Sequence, residues 1–190
     1  MKEEPFLRLL LWEIELFVPQ PHEVLVQTEK GLGYAVKCGI ERSKGDIIII
    51  ADADGSHPIK TIPQMLELIK FSGYDVIIGS RYVAEGKSYD SLSRKIISRI
   101  YCEFAKELFG LKINDNMSGF IVAKKEVFEQ YPIENKGYKI LLELLVKAKD
   151  KIQVVEYPIV FEKRKMGKSK ASIKEAWHTL IFMLKLKANF

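Results

Sequence analysis

Two carboxylates stand two residues apart directly after a run of four isoleucines. The run is Ile47–Ile50, and the carboxylates belong to Asp52 and Asp54. Four consecutive isoleucines without polar alternation predict a strand buried on both faces, as in a parallel sheet. A loop beyond the carboxyl end of such a strand can turn both carboxylates toward one point, at the edge where open α/β sheets bind ligands. Two hard oxygen donors suit Mg²⁺ or Mn²⁺, which usually shares its coordination shell with a phosphate.

The carboxylate pair alone is a weak motif, because an acidic turn after a core strand would give the same residues. His57-Pro58 is typical of a turn, and His57 is more simply a turn residue than a catalytic base. A second polar cluster favours a functional site over a plain acidic turn. Asp75–Gly79 is predicted to be the next buried strand, and Ser80-Arg81-Tyr82 follow it. Since both strands end at the same edge of the sheet, we expect Arg81 to lie near the Asp52 loop.

Three further groups of residues are candidates for binding anions. Arg94, Lys95 and Arg99 fall in the first turns of a predicted helix, where basic residues oppose the helix dipole at a cost of roughly a few tenths of a kcal/mol each. A bound anion would offset that cost, although a solvated basic face explains the same pattern. Residues 161–170 include five basic residues, which form either a loop that clamps a diphosphate or a solvated charge run. Gly31-Leu32-Gly33 is either a phosphate-binding turn or a plain strand-to-helix turn.

The polar turn Asn114–Phe120 contains one more candidate, Asp115. Three roles are open for this side chain: it could be catalytic, it could hold a loop in place, or it could cap a backbone turn. The last role is the commonest for an aspartate or asparagine in such a stretch.

The elements that would position these residues alternate between helix and strand. Predicted helices begin at Gly31, at about Thr61, at about Leu92 and at Lys139, and the predicted strands are Ile47–Ile50, Asp75–Gly79, Phe120–Ala123 and Val154–Val160. Val24–Val26 is predicted to be a further short strand. Pro158 places the predicted strand Val154–Val160 at a sheet edge or bulge. Alternation at these short intervals predicts βαβ units, and therefore an α/β fold with a mostly parallel sheet flanked by helices.

Composition narrows the class of protein. The chain has 190 residues, of which 47% are hydrophobic and 29% charged, so we expect one globular domain with a substantial core. The net charge of +5 favours anionic partners such as phosphates or lipid head groups. There is no zinc-finger spacing and no aromatic RNA-binding pattern, so no nucleic-acid partner is expected. Cys38 and Cys102 are predicted to be small buried side chains, and no stretch reaches the roughly 18 apolar residues of a membrane span.

Taken in order, the motifs resemble the family 2 glycosyltransferases and, within them, the dolichol (polyprenol) phosphate mannose synthases. The matching segments are Gly31–Gly33, Ala51–Asp54 with His57-Pro58, Gly79–Tyr82, Arg94–Arg99, Met117–Phe120, Gly137–Glu143 and Tyr157–Lys170. This resemblance implies a GT-A fold, which is a Rossmann-like α/β sheet flanked by helices. Residues 22–172 would form the GT-A domain, after a divergent segment 1–21 and before an amphipathic C-terminal helix over 173–190.

The resemblance also implies an activity: inverting transfer of mannose from GDP-mannose to a polyprenyl (dolichyl) phosphate, at the cytoplasmic face of a membrane. By position in the motifs, Asp52 and Asp54 would be catalytic residues that hold Mg²⁺ or Mn²⁺ on the donor diphosphate. Arg164 and Lys170, in the basic stretch, would bind the same diphosphate. Many members have glutamine two residues after the second aspartate, whereas this chain has Ser56, which would weaken or rearrange one metal contact.

On the acceptor side, the resemblance implies that Arg81, Arg94 and Ser98 receive the phosphate of the polyprenyl chain, with Arg81 counted among the catalytic residues. An acceptor phosphate is already an anion at neutral pH, so this reaction needs no strong general base. Catalysis would then depend on metal stabilisation of the leaving diphosphate and on in-line positioning.

The N-terminal segment departs from the family. Members begin with strands that end in Pro-x-Tyr-Asn-Glu-like and Asp-Asp-Gly-Ser motifs, which form the pocket for the nucleotide base and ribose, and residues 1–21 match neither motif. We therefore expect a fold that is truncated at its N-terminus relative to the family, with a protein partner completing that half as one option. Two alternative functions stay open: a polyprenyl-phosphate glucosyltransferase that uses UDP-glucose, and a non-catalytic remnant that binds a partner or the membrane. The C-terminal stretch Trp177–Phe190 would lie either in a membrane interface or against the domain.

Overall fold

The computed structural model describes residues 15–17, 31–134, 137, 139–163 and 173–189. The predicted strand Val24–Val26 and most of the divergent segment 1–21 lie outside the described residues, and residues 15–17 are helical. The described helices are α1 (Leu32–Arg42), α2 (Ile62–Phe71), α3 (Leu92–Phe109), α4 (Lys125–Gln130), α5 (Ile140–Ala148) and α6 (Ile173–Ala188). The described strands are β1 (Ile47–Ile50), β2 (Val76–Ser80), β3 (Lys87–Ser88), β4 (Ile121–Lys124), β5 (Val154–Pro158) and β6 (Val160–Phe161).

Four strands form the central sheet in the order β1-β4-β2-β5. β5 pairs in parallel with β2, whereas β4 pairs antiparallel with both β1 and β2. Three strands therefore run in one direction, and β4 is inserted between two of them in the opposite direction. The fold is α/β as predicted, and its described sheet is mixed. Pro158 ends β5 at the edge of this sheet, as the sequence predicted.

Helices cover both faces of the sheet. Alternate residues of the strands point to opposite faces, so Val76 and Ile78 pack with α4 and α5, while Ile77 and Val122 pack with α2. A third cluster joins α3, α5 and α6 through Phe109, Leu142 and Met183 and other side chains. Of the described helices, none is long and apolar enough to cross a membrane.

Two predictions about burial and pairing need correction. The isoleucine strand was expected to be buried on both faces, but only Ile48 is buried and its three neighbours are half-buried, because β1 is the outermost strand of the described sheet. The predicted strand Val154–Val160 is in fact two strands. β6 leaves the central sheet and pairs in parallel with β3, a two-residue strand between β2 and α3.

Helix α3 begins after Ser91 and ends at Gly110, which has the left-handed backbone conformation (φ 66°) that favours glycine after a helix. Its buried face consists of Cys102, Ala105 and Phe109. The apolar residues of its first turns, Leu92, Ile96, Ile97 and Ile100, are more than half exposed. The amphipathic pattern of α3 thus has an apolar side that no described element covers.

Candidate functional site

Four segments meet at one edge of the central sheet. β1 ends at Ile50 just before the carboxylate loop, and β2 ends just before Arg81. β4 runs the other way, and its first residue, Ile121, pairs with Ile50 on one side and Ile78 on the other. The segment before β4 therefore lies level with the residues that follow β1 and β2. The end of β5 joins them, because Ser80 is the register partner of Pro158.

The carboxylate loop is fastened by its own polar groups. The Asp54 Oδ1 atom accepts hydrogen bonds from the backbone N–H (3.0 Å) and the hydroxyl (2.5 Å) of Ser56, which is fully buried. The backbone N–H of Asp52 donates to Nδ1 of His57 at 2.8 Å. His57 is thus a turn residue, as the sequence predicted. Ser56, at the position where the family resemblance led us to expect glutamine in many members, holds Asp54 in place.

Gly119 lies directly beside this loop. A β-carbon added to Gly119 would lie 3.7 Å from Asp52 Oδ2 and 3.5 Å from His57 Cε1, in van der Waals contact with both side chains. The preceding residue, Ser118, ties the same turn to β2, because its hydroxyl donates to the Gly79 carbonyl at 2.7 Å. The segment before β4 therefore forms one wall of the space beside the Asp52 carboxylate.

Arg81 is held by Asp115. The backbone N–H and Nε–H of Arg81 donate to Asp115 Oδ2 at 2.9 and 2.8 Å, and Nη2 donates to Oδ1 at 2.7 Å. Asp115 is fully buried and the Arg81 side chain is 13% exposed. Burial acts to lower the pKa of Arg81, but the hydrogen bonds and charge of Asp115 outweigh it and raise the pKa above its ordinary value. Of the three roles open for Asp115, the structure shows the one that holds a segment in place.

Three other side chains surround the Arg81 guanidinium. The Ser98 hydroxyl, on α3, is 3.5 Å from Nη2, and the rings of Tyr82 and Phe161 lie 5.0 and 5.4 Å from the guanidinium carbon. Arg99 lies 5.0 Å from the same Tyr82 ring. Burial raises the pKa of Tyr82, despite the opposing charge of Arg81, so the phenol stays protonated at neutral pH.

The structure thus brings two of the three predicted acceptor residues, Arg81 and Ser98, into contact. Arg94 lies one turn before Ser98 on α3, and its Nη1 atom pairs instead with Asp90 at 3.4 Å. Sequence reasoning named Arg99 only as an anion-binding candidate beside Arg94 and Lys95, and it gave Tyr82 no role of its own. Their adjacency to Arg81 and Ser98 was the available signal, but adjacency alone does not say which way a side chain points.

One aromatic side chain connects the carboxylate loop with Arg81. Phe161 is buried, packs edge-on against the His57 ring at 5.3 Å and lies over the Arg81 guanidinium. His57 also stacks on Phe120 at 5.1 Å. The expectation that Arg81 lies near the Asp52 loop is therefore confirmed. Arg164 and Lys170, which follow Phe161 in the chain, lie outside the described residues.

The donor set of the loop fits a divalent cation that is shared with a substrate. Asp52 and Asp54 are both half-buried at the end of β1. Among the residues that the structure describes, no group of three or more His, Cys, Asp or Glu side chains could hold a metal ion. Mg²⁺ is usually bound through one or two carboxylates together with phosphate oxygens and waters. The residues therefore fit such an ion when a phosphate completes its coordination, and they do not form an all-protein metal site.

Comparison with known proteins gives consistent matches. The family model of Glycosyl transferase family 2 matches residues 15–132. The chain is 38% identical over 176 residues to a dolichol-phosphate mannosyltransferase of Pyrococcus furiosus, covering 90% of this chain and 49% of that protein. It is 32% identical over 163 residues to an undecaprenyl-phosphate mannosyltransferase of Micrococcus luteus, covering 81% of this chain and 66% of that protein. The chain thus spans between about half and two thirds of the length of these relatives.

Solved structures show the same fold. Glucosyl-3-phosphoglycerate synthase from Mycobacterium tuberculosis, in complex with Mn²⁺, UDP-glucose and phosphoglyceric acid, superposes with a TM-score of 0.63 at 15% identity. The match covers 92% of this chain and 59% of that one. The same enzyme was also crystallised with Mg²⁺ and UDP, and that structure gives a TM-score of 0.62. At this level of identity the likeness concerns the fold alone.

Proposed function

This chain belongs to glycosyl transferase family 2, and from that premise we propose that it transfers mannose from GDP-mannose to a polyprenyl (dolichyl) phosphate. The observation that carries the proposal is that two groups of side chains lie at the same edge of the sheet, one suited to a metal-bound diphosphate and the other to a phosphate anion. Asp52 and Asp54 offer carboxylates for a metal–diphosphate, and Arg81 offers a fixed cation, with Phe161 in contact with both His57 and Arg81. The relatives from P. furiosus and M. luteus are named for mannosyl transfer to a polyprenyl phosphate, which supports the same substrates here.

On the donor side, we propose that Asp52 and Asp54 hold Mg²⁺ or Mn²⁺ against the diphosphate of the nucleotide sugar. When bound, such an ion would neutralise the negative charge that develops on the leaving diphosphate. Ser56 keeps Asp54 in its turn through two hydrogen bonds, so the loop is ordered before the substrate arrives. Arg164 and Lys170 are expected to bind the donor phosphates, and this part of the proposal stays a prediction.

On the acceptor side, an oxygen of the polyprenyl phosphate attacks carbon 1 of mannose while the bond from that carbon to the GDP oxygen breaks. GDP leaves with the electron pair, and attack from the opposite side inverts the configuration. The attacking oxygen is already anionic, so no proton has to be removed from it. Arg81 and Ser98 would orient this phosphate, and we expect Arg94 to join them by exchanging Asp90 for the acceptor.

We propose that the reaction takes place at a membrane surface, with the protein peripheral to the cytoplasmic face. Helix α3 supports this, because its exposed Leu92, Ile96 and Ile100 lie beside basic residues on the same helix. Apolar side chains flanked by lysine and arginine suit the head-group region of an anionic bilayer. Ser98 is on this helix too, so a polyprenyl tail could stay in the bilayer while its phosphate reaches Arg81.

The decisive experiment measures donor binding and transfer together. GDP-mannose is titrated into the protein with and without Mn²⁺, and mannose transfer to a short polyprenyl phosphate is then assayed. We expect metal-dependent binding and transfer that are lost in Asp54→Ala and retained in Asp150→Ala, the same change at an exposed aspartate that precedes β5. A folded wild-type protein that binds no nucleotide sugar would refute the proposal.

A donor panel separates the remaining alternatives. Preference for UDP-glucose would replace the donor and leave the rest of the mechanism in place. Vesicle binding without affinity for any nucleotide sugar would indicate a non-catalytic chain, or one that needs a protein partner to complete its nucleotide pocket.

A further inference from the structure

Glu156, on β5, accepts hydrogen bonds on both of its carboxylate oxygens. Oε1 accepts from the Ser80 hydroxyl at 2.6 Å and from the backbone N–H of Asp115 at 2.9 Å. Oε2 accepts from the backbone N–H of Asn114 at 2.8 Å and from its side-chain amide at 3.0 Å. The Glu156 carboxylate therefore links Ser80, the residue before Arg81, to Asn114 and Asp115.

Through these bonds Glu156 contacts both of the residues that hold Arg81 in place. Arg81 is fixed by its covalent neighbour Ser80 and by its three hydrogen bonds to Asp115. Glu156 joins both of these supports from β5, a strand that is far from them in sequence. Among the described hydrogen bonds and ion pairs, Glu156 has no direct contact with the guanidinium, and the contacts that link it to Arg81 run through Ser80 and the Asn114–Asp115 segment.

We propose that Glu156 is a positioning residue that fixes the Arg81 guanidinium for binding the acceptor phosphate. This inference rests on the function proposed above. A free arginine side chain samples many rotamers, and ordering them on binding lowers the affinity for an anion. Asp115 and Glu156 order Arg81 in advance, which is the arrangement that a group needs when a displacement of about 1 Å costs up to about 100-fold in rate.

The chemistry of the four bonds explains why a carboxylate is needed at this position. Three of the four donors are N–H groups, and they face both oxygens of Glu156. A glutamine has the same shape, but its NH₂ group would point at N–H donors on one side. Glu156→Gln therefore keeps the volume of the side chain and turns part of its hydrogen bonding into repulsion.

The test follows the Arg81 guanidinium directly, by NMR of protein labelled with ¹⁵N-arginine. The Arg81 Nε–H signal is assigned by its loss in Arg81→Lys, and inorganic phosphate is then titrated. We expect phosphate to shift the signal of the wild type. In Glu156→Gln the signal should move before phosphate is added, and phosphate affinity should fall about 10- to 100-fold.

Asp75→Asn is the matched control. Asp75 also accepts a backbone hydrogen bond, from Gln153 just before β5, but it precedes β2 and so lies at the opposite end of the β2–β5 pair. The Asp75→Asn substitution should leave the Arg81 signal and the phosphate response unchanged. If Glu156→Gln does not fold, Ser80→Ala removes one of the four bonds to Glu156, together with the 3.2 Å bond that the Tyr82 N–H donates to the Ser80 hydroxyl, and it should also move the Arg81 signal.

Kinetics supply a second readout if the wild type is active. Glu156→Gln should raise the KM for polyprenyl phosphate about 10-fold or more and leave GDP-mannose affinity within about twofold. In an Arg81→Lys background it should add nothing further, since both changes act on one interaction. An unmoved Arg81 signal, no phosphate response in the wild type, or additive effects would overturn the inference. Absence of transfer by the wild type would instead refute the proposed function, while the NMR result still decides the role of Glu156.

Discussion

Gly86 lies against the backbone that leads into Arg81, and replacing it with alanine should displace that backbone. A β-carbon at Gly86 would lie 2.7 Å from the Ser80 carbonyl oxygen and 2.9 Å from the Arg81 carbonyl carbon. Neither side can give way easily. The Gly86 N–H donates to the Val83 carbonyl at 3.0 Å, and the Ser80 carbonyl accepts from the Ile159 N–H at 2.9 Å. Close-packed interiors do not absorb such overlaps without a shift of backbone.

The size of the effect follows from these distances. Ordinary van der Waals contact begins at 3.4 Å, so the Ser80 oxygen and the new methyl group must separate by about 0.7 Å (3.4 − 2.7). Overpacking of this kind costs about 1–3 kcal/mol of unfolding free energy. For a chain of this size, each kcal/mol corresponds to about 2–4 °C, so the Tm of Gly86→Ala should fall by about 2–12 °C.

The assay combines thermal unfolding with mannosyl transfer. Since the shift acts on Ser80 and Arg81, we expect the KM for polyprenyl phosphate to rise while donor binding stays close to that of the wild type. Gly39→Ala is the control, because an added β-carbon there has nothing within 4 Å and alanine is the better helix former. A Gly86→Ala protein with the Tm and acceptor KM of the wild type would refute the steric reasoning.

Three further predictions concern stability and reactivity. Gly79→Ala should lower the Tm, measured by calorimetry, because its β-carbon would lie 2.5 Å from the ring of the fully buried Phe120; an unchanged Tm would contradict this. Burial raises the pKa of Cys102 to about 12. At pH 8 a thiol reagent should therefore label only half-buried Cys38 in the native protein and both thiols in denaturant. Rapid labelling of both thiols in the native protein would contradict this prediction. Burial acts to raise the pKa of Asp75, but its hydrogen bonds to the Gln153 backbone and Lys124 outweigh it and hold the pKa below its ordinary value. A carboxylate with a lowered pKa adds stability above its unfolded pKa that is lost as pH falls through the folded value, so Asp75→Asn should cost up to about 1 kcal/mol in urea unfolding at pH 7 and progressively less below pH 4.

The sequence predicted the meeting of Asp52 and Arg81 because that inference needs only the direction of two strands. Ile47–Ile50 and Asp75–Gly79 are each followed by polar residues, and a helix between two strands commonly returns the chain so that both strands run in the same direction. This holds for β1 and β2, although not for β2 and β4, which are antiparallel. Their carboxyl ends therefore lie at one edge whatever stands between them. Phe161, which contacts both His57 and Arg81, could not be foreseen, since it belongs to a strand that leaves the central sheet.

The pairing of Arg81 with Asp115 was out of reach for a different reason. The two residues are 34 positions apart, and an ion pair over that distance depends on which way each loop turns. The sequence left Asp115 with three possible roles, of which turn capping is the commonest. Its complete burial decides for the holding role, because a buried carboxylate requires a cation or several donors, and Arg81 supplies both.

Helix α3 shows the same limit on a larger scale. Its apolar residues predict an amphipathic helix, but their spacing does not say which side packs on the domain. The side that packs carries Cys102, Ala105 and Phe109, where small residues let α3 approach α5 and α6. The larger aliphatic residues near Leu92 and Ile96 stay exposed. A sequence pattern thus fixes the helix and leaves its orientation to tertiary packing.

The reversed direction of β4 is what assembles this site. In a fully parallel sheet, the residues that precede each strand lie at one edge, and the carboxyl ends of the neighbouring strands lie at the opposite edge. Because β4 is antiparallel, Ile121 lies opposite both Ile50 and Ile78, and the segment just before it reaches the edge where β1 and β2 end. That segment brings Gly119 beside Asp52 and Asp115 onto Arg81. Were β4 parallel, Asp115 would lie at the far edge, and Arg81 would lose the buried carboxylate that fixes it. The inserted strand therefore fixes Arg81 through Asp115, just as the loop after β1 fixes Asp54 through Ser56.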